Sequence, residues 1–409
     1  MTRSLIACFV AVITAVLAIL AVGASSGDGK RMAPAINAAA VETRTSHSRT
    51  RLGIAGTRFT VNGKPAFLLG ISYYGALGAS EDVVRGDLAT MKRHGFHWLR
   101  VWAVCDFFNN DVSAVDGSGH GREPYLDRLK WLVARCDRLG LVVDVTLTRG
   151  SGSTPHLARL EDLRRAVETV VTELKPYRNW YLDLANERNV GDKRFVSFDE
   201  LKDLRETTRH LDPDLLVTAS DGGDIERDDL RQYLLTADVD FVCPHRPRDA
   251  RSPAQTETKT KELLTWMKEI SLTQSDRSGS DSDPSVRASP PASVTDANAG
   301  RTVPIHYQEP FRRGYTAWQP SAEDFAADLL GARAGGAAGW CFHNGGQRSA
   351  KDGRPRRSFD LRDGPLFKQL DAEELRFVEK ILPKLHLAQR RGAAKNGAQS
   401  GGALPTPEE

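Results

Sequence analysis

The sequence predicts an α/β fold of the (β/α)8 TIM-barrel class. The first observation is an alternation in which a short apolar run of β-type residues precedes an amphipathic stretch long enough for a helix. The second is the number of repeats, because eight such runs fit a closed barrel of parallel strands. They read FLLGIS, HWLRVW, LVVDVTL, NWYLDLANE, LLVTAS, DFVCPH, VPIHYQE and GWCFHN. A doubly wound open sheet is the alternative, but no glycine-rich phosphate loop follows an early strand.

The amino-terminal segment, residues 1–26, has the pattern of an export signal. Arg3 precedes an apolar run from Leu5 to Val22, and small residues follow at positions 23–26. This order is typical of a secretory signal peptide, and the run is also long enough to span a bilayer if it is not cleaved. We therefore expect a secreted or periplasmic protein, or one anchored to the membrane by this segment. Residues 27–50 lack apolar periodicity and are predicted to be a flexible linker.

The barrel, residues 51–387, is predicted to begin with a β-hairpin. In RFTVNGKPAFLLG the pair Asn62-Gly63 separates two short apolar runs and is a strong signal for a two-residue hairpin turn. We expect this hairpin to cap the closed bottom of the barrel. Its second arm, Phe67 to Ile71, is expected to continue as the first barrel strand.

The helices between the strands are predicted from apolar residues at helical spacing. Their expected bounds are Asp82–His94, Tyr125–Leu139, Leu160–Leu174, Phe198–His210, Asp228–Leu235, Lys259–Ile270 and Ala322–Arg333. Two segments fall outside this pattern. Residues 271–300 are rich in Ser, Asp, Pro, Ala and Gly, which predicts a disordered insertion on the bottom face, and residues 388–409 are predicted to be a disordered tail.

Charge and cysteine content exclude some classes of function. The formal charge of +3 is small against 56 basic and 53 acidic residues, so no basic face for nucleic acid is predicted. The cysteines beyond the signal have no zinc-site spacing, and buried free thiols are favoured over a disulfide that export would permit. They are Cys105, Cys136, Cys243 and Cys341. We expect a monomer.

Two carboxylates follow buried strands at the points where those strands end. Asn186 and Glu187 end the fourth run, and Glu309 ends the seventh, directly before Pro310. Because the active face of a parallel barrel is built at the carboxyl ends of its strands, both glutamates should lie on that face. A pair of carboxylates is the minimum equipment for cleaving a glycosidic bond.

The eight-strand pattern with Asn186-Glu187 on strand four and Glu309 on strand seven resembles the clan A retaining glycoside hydrolases. Within this clan it resembles glycoside hydrolase family 5, the cellulase family, in particular, over roughly Gly53 to Leu385. The resemblance implies a glycosidase that acts on a β-linked polysaccharide or oligosaccharide without a cofactor. It also implies that Glu187 is the acid/base and Glu309 the nucleophile.

Further residues gain roles through this resemblance. Asn186 would hold the sugar 2-hydroxyl, and Arg100 would keep Glu309 ionised or be an ordinary structural ion pair. Independently of the resemblance, Tyr307 lies two residues before Glu309, so in a strand both side chains face the same side. Tyr307 would then hydrogen-bond Glu309, or else it lies in the core or at the rim. The remaining substrate-binding candidates are His245, the stacking tryptophan Trp340 and, less firmly, Trp102.

The sequence also departs from the family pattern. The usual His-x-Tyr of strand six is His245-Arg246-Pro247, and the histidine that often ends strand three is absent. Two other functions therefore remain open. One is a metal-dependent hydrolase that uses His245, His306 and His343, and the other is a carbohydrate-binding barrel without catalysis.

Overall fold

The computed structural model describes residues 48–147, 156–190, 195–278, 302–346 and 355–387. The predicted signal, most of the linker, much of the insertion and the tail from residue 388 lie outside these ranges. Within them, parallel strands alternate with helices along the chain, as predicted. No helix of the described residues has the length and apolar character needed to cross a membrane.

The strands and helices have the following bounds. The strands are β1 (Leu52–Ala55), β2 (Arg58–Val61), β3 (Lys64–Ala66), β4 (Leu68–Ser72), β5 (Trp98–Trp102), β6 (Asp106–Phe107), β7 (Asn110–Asp111), β8 (Val142–Thr146), β9 (Trp180–Asp183), β10 (Val217–Thr218), β11 (Ser220–Asp221), β12 (Cys243–Pro244), β13 (His306–Tyr307) and β14 (Gly339–Phe342). The helices are α1 (Glu81–Arg93), α2 (Tyr125–Leu139), α3 (Leu160–Leu174), α4 (Phe198–Leu211), α5 (Arg227–Leu235), α6 (Ser252–Ser278), α7 (Ala322–Gly335), α8 (Leu366–Gln369) and α9 (Ala372–Arg376).

The main sheet has seven strands in the order β10-β9-β8-β5-β4-β14-β13, and every neighbouring pair is parallel. Two further contacts extend it. Strand β11, which follows β10 after one residue, pairs with β12, and a parallel bridge joins Val242 to Ile305 next to β13. These pairings connect all eight predicted strand positions in a ring, so the carboxyl ends of the strands share one face.

Helix α4 illustrates how a helix is positioned against the sheet. In α4 the Ser197 hydroxyl accepts from the Glu200 N–H at 3.1 Å, and the Glu200 carboxylate accepts from the Ser197 N–H at 2.8 Å. This capping box fixes the first turn. Buried Leu201 and Leu204 then direct the same face of the helix to the core.

A three-stranded antiparallel sheet of β1, β2 and β3 precedes the barrel. Asn62 and Gly63 form the turn between β2 and β3, and both have positive φ angles, 52° and 75°. Gly and Asn tolerate this conformation best, which explains the turn signal in the sequence. The Phe59 ring of β2 packs edge-on against the rings of Phe241, at 4.9 Å, and His306, at 5.6 Å.

Two predicted boundaries are corrected. The linker was expected to reach residue 50, but Ser48 and Thr50 both donate to Asp137 Oδ1, at 2.6 and 2.9 Å, so the chain is already fixed to the end of α2. The insertion was expected to begin at residue 271, but α6 continues to Ser278. Polar composition alone does not end a helix that its first turns have already nucleated. The four described cysteines are buried and free.

Candidate active site

Glu187 lies four residues after β9, where the chain turns into the active face. Its φ angle of 44° is in the left-handed region, and its N–H donates to Ser220 Oγ of β11 at 3.0 Å. A non-glycine residue in this conformation is held there by its surroundings and is common at functional sites. The Glu187 side chain keeps 17% of its surface exposed.

Glu309 reaches the same face through a bend in the chain. Along β13 the side chains alternate: His306 packs inside the barrel against Trp98, and the Tyr307 hydroxyl points outwards to Thr260 Oγ1 of α6, at 2.6 Å. Gln308 points inside again, and its Nε2 donates to Asp144 Oδ2 at 2.8 Å. The chain then bends, and Glu309 also points into the barrel.

This bend corrects the prediction for Tyr307. We expected Tyr307 and Glu309 to share a side because they are two residues apart in a strand. The regular strand ends at Tyr307, so the alternation no longer holds at Glu309. Tyr307 is fully buried behind the barrel wall and does not reach the site.

The two glutamates lie close together. One carboxylate oxygen of Glu187, one of Glu309 and a ring nitrogen of His245 are all within 4.8 Å of one another. Glu309 is the more enclosed of the two carboxylates, since its side chain is only 4% exposed. The pair differs in access to solvent, as expected where two carboxylates have different tasks.

Arg100, on β5, is the centre of the buried charge network. Its Nη1 donates to Glu309 Oε1 at 2.6 Å, and its Nη2 donates to Asp183 Oδ2 at 2.7 Å and to Asn186 Oδ1 at 3.1 Å. Its Nε lies 3.1 Å from Asp144 Oδ2. One guanidinium therefore fixes the positions of the nucleophile candidate and the Asn186 amide relative to each other.

These contacts act on the ionisation of the carboxyl groups. Burial alone would raise the pKa of Glu309, but His245 and Arg100 outweigh burial and lower it to about 2. Burial raises the pKa of Asp144 to about 7 in spite of Arg100. Glu309 is thus an ionised carboxylate at neutral pH, as a nucleophile requires.

His245 follows β12 and connects Arg100 to Glu187. Its Nε2 lies 3.3 Å from Arg100 Nη1, and its Nδ1 lies 3.1 Å from Glu187 Oε1. Because a guanidinium can only donate, Nε2 must accept, and the proton is therefore on Nδ1. His245 donates this proton to Glu187 and fixes the orientation of that carboxylate.

Arg248 was not among the predicted site residues, although it lies at the centre of the site. Its Nη2 is 2.8 Å from Glu187 Oε1 and 3.1 Å from Glu309 Oε2, so one nitrogen bridges the two carboxylates. Burial would raise the pKa of Glu187, but Arg248 and the His245 hydrogen bond hold it well below its usual value. The only signal for Arg248 was its place three residues after His245, in the loop beyond β12.

Arg312 and His343 were likewise not assigned to substrate binding. His343 follows β14, and its Nε2 is 3.0 Å from Arg312 Nη1 while its Nδ1 is 2.9 Å from the Pro310 carbonyl oxygen. Since Arg312 must donate, His343 is neutral with its proton on Nδ1. The Arg312 and Arg248 guanidiniums both lie over the ring of Tyr315, at 4.4 and 4.8 Å from its centroid.

The two predicted tryptophans have different positions. Trp102, at the end of β5, stacks on Tyr74 at 4.1 Å and is only 4% exposed. Tyr74 adjoins the site, because burial and the negative charge of Glu309 raise the pKa of Tyr74 well above its ordinary value. Trp102 therefore lies behind Tyr74 and not at the surface of the site.

Trp340 was expected to form a stacking floor for a sugar. Instead it points outwards, and its Nε1 donates to Asp328 Oδ2 of α7 at 2.6 Å.

The correction for Trp340 has a simple geometric reason. Strand β14 continues for two residues beyond Trp340, so the side chain that reaches the active face at its carboxyl end is His343. Trp340 lies in the middle of the strand on its outer side, where it packs against Phe377 at 5.9 Å. Alternation from His343 would have predicted this orientation.

The histidines of the metal hypothesis do not form one cluster. His306 lies between aromatic rings at the other end of the barrel, 4.5 Å from Trp98, whereas His245 and His343 are on the active face. Glu187, His245 and Glu309 do have ligand atoms close enough for a metal ion. Arg248 already places a positive charge between the two carboxylates of that set.

Comparison with known proteins supports the fold. No protein-family profile and no curated protein match the sequence. Among solved structures, a glycoside hydrolase family 5 mannosidase from Rhizomucor miehei is 14% identical with a TM-score of 0.52, covering 84% of this chain and 99% of that one. A beta-mannanase from Streptomyces thermolilacinus, solved with mannohexaose, is 15% identical with a TM-score of 0.50, covering 81% and 94%. The endo-1,4-beta-mannanase from Rhizomucor miehei is also 15% identical with a TM-score of 0.50, covering 71% and 89%.

These identities are low, so the likeness concerns the fold. The fold is that of the glycoside hydrolase family 5 barrels, and the resemblance predicted from the sequence is confirmed at this level. Function has to be argued from the site itself.

Proposed function

We propose that this protein is a retaining glycoside hydrolase that cleaves O-glycosidic bonds of a β-linked polysaccharide or oligosaccharide. The observation that carries the proposal is the approach of Glu187 and Glu309, whose carboxylate oxygens lie within 4.8 Å. Retaining enzymes hold their two carboxyl groups about 5 to 5.5 Å apart, whereas inverting enzymes leave roughly 6.5 to 9.5 Å for a water molecule. The short separation favours retention.

In the proposed reaction Glu309 attacks the anomeric carbon while Glu187 gives its proton to the leaving oxygen. The glycosidic bond breaks and an ester bond forms between the sugar and Glu309. Glu187, now ionised, takes a proton from water, and the resulting hydroxide attacks the same carbon and releases Glu309. Two inversions restore the original configuration, and no cofactor takes part.

The neighbouring side chains suit these roles. Arg100 contacts Glu309 at 2.6 Å, and its positive charge favours the ionised nucleophile. The Asn186 amide accepts from Arg100 at 3.1 Å through its oxygen, which leaves its NH2 group to donate to a sugar hydroxyl. A hydrogen bond to the 2-hydroxyl that strengthens in the transition state supplies part of the catalysis in such enzymes.

We also propose a first substrate class, a cap, an export route and an oligomeric state. The mannanases of the same fold suggest that β-1,4-mannans belong among the first substrates to be tested. The contacts of Phe59 with Phe241 and His306 support a cap at the bottom of the barrel by the sheet of β1 to β3. The apolar run from Leu5 to Val22 supports export, either as a cleaved signal or as an anchor. We further propose a monomer.

The test is product release from β-mannans, β-glucans and β-xylans by the full chain and three variants. Glu187→Gln and Glu309→Gln remove the acid/base and the nucleophile, and Glu206→Gln is the control, since Glu206 is exposed on α4. Cleavage by the wild type and the control alone is the expected result. Equal cleavage by Glu309→Gln would refute the mechanism, and binding without cleavage would indicate a carbohydrate-binding barrel.

A further inference from the structure

The active face holds more positive charge than the catalytic pair needs. Arg100 meets Asp144, Asp183 and Glu309, and Arg248 meets both glutamates. The third guanidinium, that of Arg312, has no carboxylate within 4.0 Å among the described residues, and its hydrogen-bond partner is the neutral ring of His343. A buried charge without a counterion is costly, so its retention calls for an explanation.

The Arg312 guanidinium is buried and only partly hydrogen-bonded. The residue is only 7% exposed, and its Nε meets no acceptor within the described part of the chain. The Nε of Arg248 also meets no acceptor among the described residues. The described residues therefore leave part of the hydrogen-bonding capacity of these two guanidiniums unused, and an anion is the group that pairs best with a guanidinium. Both pack on Tyr315, which keeps them together in spite of their like charge.

The contact of Arg248 with Glu187 points the same way. A general acid must carry a proton, yet Arg248 holds the pKa of Glu187 well below its usual value. A ligand group that draws the guanidinium away from Glu187 would remove this restraint. An anion is the group that competes with a carboxylate for a guanidinium, whereas a neutral hydroxyl competes poorly.

We propose that the substrate is an acidic glycan, in which the sugar next to the scissile bond carries an anionic group that binds Arg312 and Arg248. This deepens the proposed function and rests on it. A uronic acid carboxylate and a sulfate ester share the required chemistry, because both present oxygens that a guanidinium can bind in a bidentate manner. Arg312 is then a specificity-determining residue, and Arg248 passes from the two glutamates to the substrate.

The experiment compares three forms of the same β-linked backbone. Neutral oligosaccharides, their uronate counterparts and sulfated derivatives are offered to the full chain for the gluco and manno series, and kcat/KM is measured for each. We expect the wild type to prefer an acidic form by about tenfold or more, as one charge-assisted pair of hydrogen bonds would give. The form that is preferred distinguishes a carboxylate from a sulfate.

Variants at Arg312 test whether this residue causes the preference for acidic over neutral substrates. Arg312→Gln should reduce the ratio of acidic to neutral kcat/KM by about tenfold, and Arg312→Lys should recover part of it because charge remains but the planar fork is lost. The control is Arg313→Gln, since Arg313 is paired with Asp371 Oδ2 at 2.6 Å and has no contact with the catalytic pair among the described residues. Its ratio should equal that of the wild type.

The outcomes separate the two proposals. Equal cleavage of neutral and acidic forms would overturn the acidic substrate and leave the glycosidase intact, and so would a loss in Arg312→Gln that is the same for both forms. If the wild type cleaves nothing, the glycosidase proposal fails. Calorimetry with the acidic and neutral oligosaccharides then decides the anion site: binding of the acidic form alone, lost in Arg312→Gln, supports it, and no binding refutes it.

Discussion

The two ends of the barrel interior are filled in opposite ways. At the amino ends of the strands the rings of Phe59, Trp98, Phe241 and His306 pack together, and the contacts of Phe59 and Trp98 are edge to face. At the carboxyl ends, the interior is filled by Arg100 and the three carboxylates that it contacts. Apolar contacts at one end stabilise the barrel, and costly buried charges at the other are tolerated because they supply chemistry.

A hydrogen-bonded chain joins the two ends. Trp98 Nε1 donates to the Tyr181 hydroxyl at 3.1 Å, and that hydroxyl donates to Asp144 Oδ2 at 2.9 Å. Asp144 in turn lies 3.1 Å from Arg100 Nε. The apolar end therefore fixes the charged end through a short series of directed bonds, which is how a barrel holds catalytic groups in place.

The comparison predicts that changes at the charged end affect activity more than folding. Glu309→Gln should lower kcat by orders of magnitude, because the proposed nucleophile is lost while the shape of the side chain is kept. Thermal unfolding of the same variant should stay cooperative. Near-normal turnover of a folded Glu309→Gln variant would show that Glu309 is not the nucleophile.

Changes at the apolar end should affect folding instead. A Cβ atom at Gly339 would lie 2.3 Å from His306 Nδ1 and 2.9 Å from the Leu68 carbonyl oxygen, so Gly339→Ala should lower the free energy of unfolding by about 1 to 3 kcal/mol. Urea denaturation measures this, and kcat per folded molecule should not change. Gly86→Ala on α1 is the control, since nothing lies within 4 Å and stability should rise by about 0.5 to 1 kcal/mol.

Replacing Arg248 tests whether this residue controls the protonation of Glu187. If Glu187 is the general acid, as we propose, it must be protonated, and kcat/KM should fall as the pH rises through the pKa of Glu187. Arg248 lowers that pKa, and Arg248→Gln should raise it. The alkaline limb of kcat/KM on a neutral substrate should therefore move to higher pH in the variant. An unchanged limb would show that Arg248 does not control Glu187.

Tyr307 gives the smallest expected effect. Tyr307→Phe removes the hydrogen bond with Thr260 and should lower the free energy of unfolding by about 1 kcal/mol. Activity should not change, because the hydroxyl points away from Glu309. A large loss of kcat without a loss of stability would restore the role that the sequence suggested for Tyr307.

The sequence was most informative where periodicity is regular. Helices α2 and α3 have the predicted bounds, because their apolar residues recur at helical spacing over fifteen residues each. The strands carrying Glu187 and Glu309 were also identified, since apolar runs ending abruptly in polar residues are characteristic of barrel strands. Both patterns are local and need no knowledge of partners.

The sequence was least informative where the chain leaves a regular element. The bend at Gln308 and Glu309 reverses the expected facing of Tyr307, and the extra length of β14 does the same for Trp340. Arg248 stands in a loop, where no periodicity shows the direction of a side chain. Its contact with Glu187 and Glu309 depends on the closure of the whole barrel.

The stereochemistry of cleavage shows whether Glu187 and Glu309 act as the acid/base and nucleophile of a retaining enzyme. An oligosaccharide that the full chain cleaves is followed by proton NMR from the first minutes, before the reducing end of the product equilibrates. We expect the β-anomer to appear first, because Glu187 and Glu309 are close enough for a covalent glycosyl-enzyme. Initial release of the α-anomer would mean inversion and would contradict the assigned roles of both glutamates.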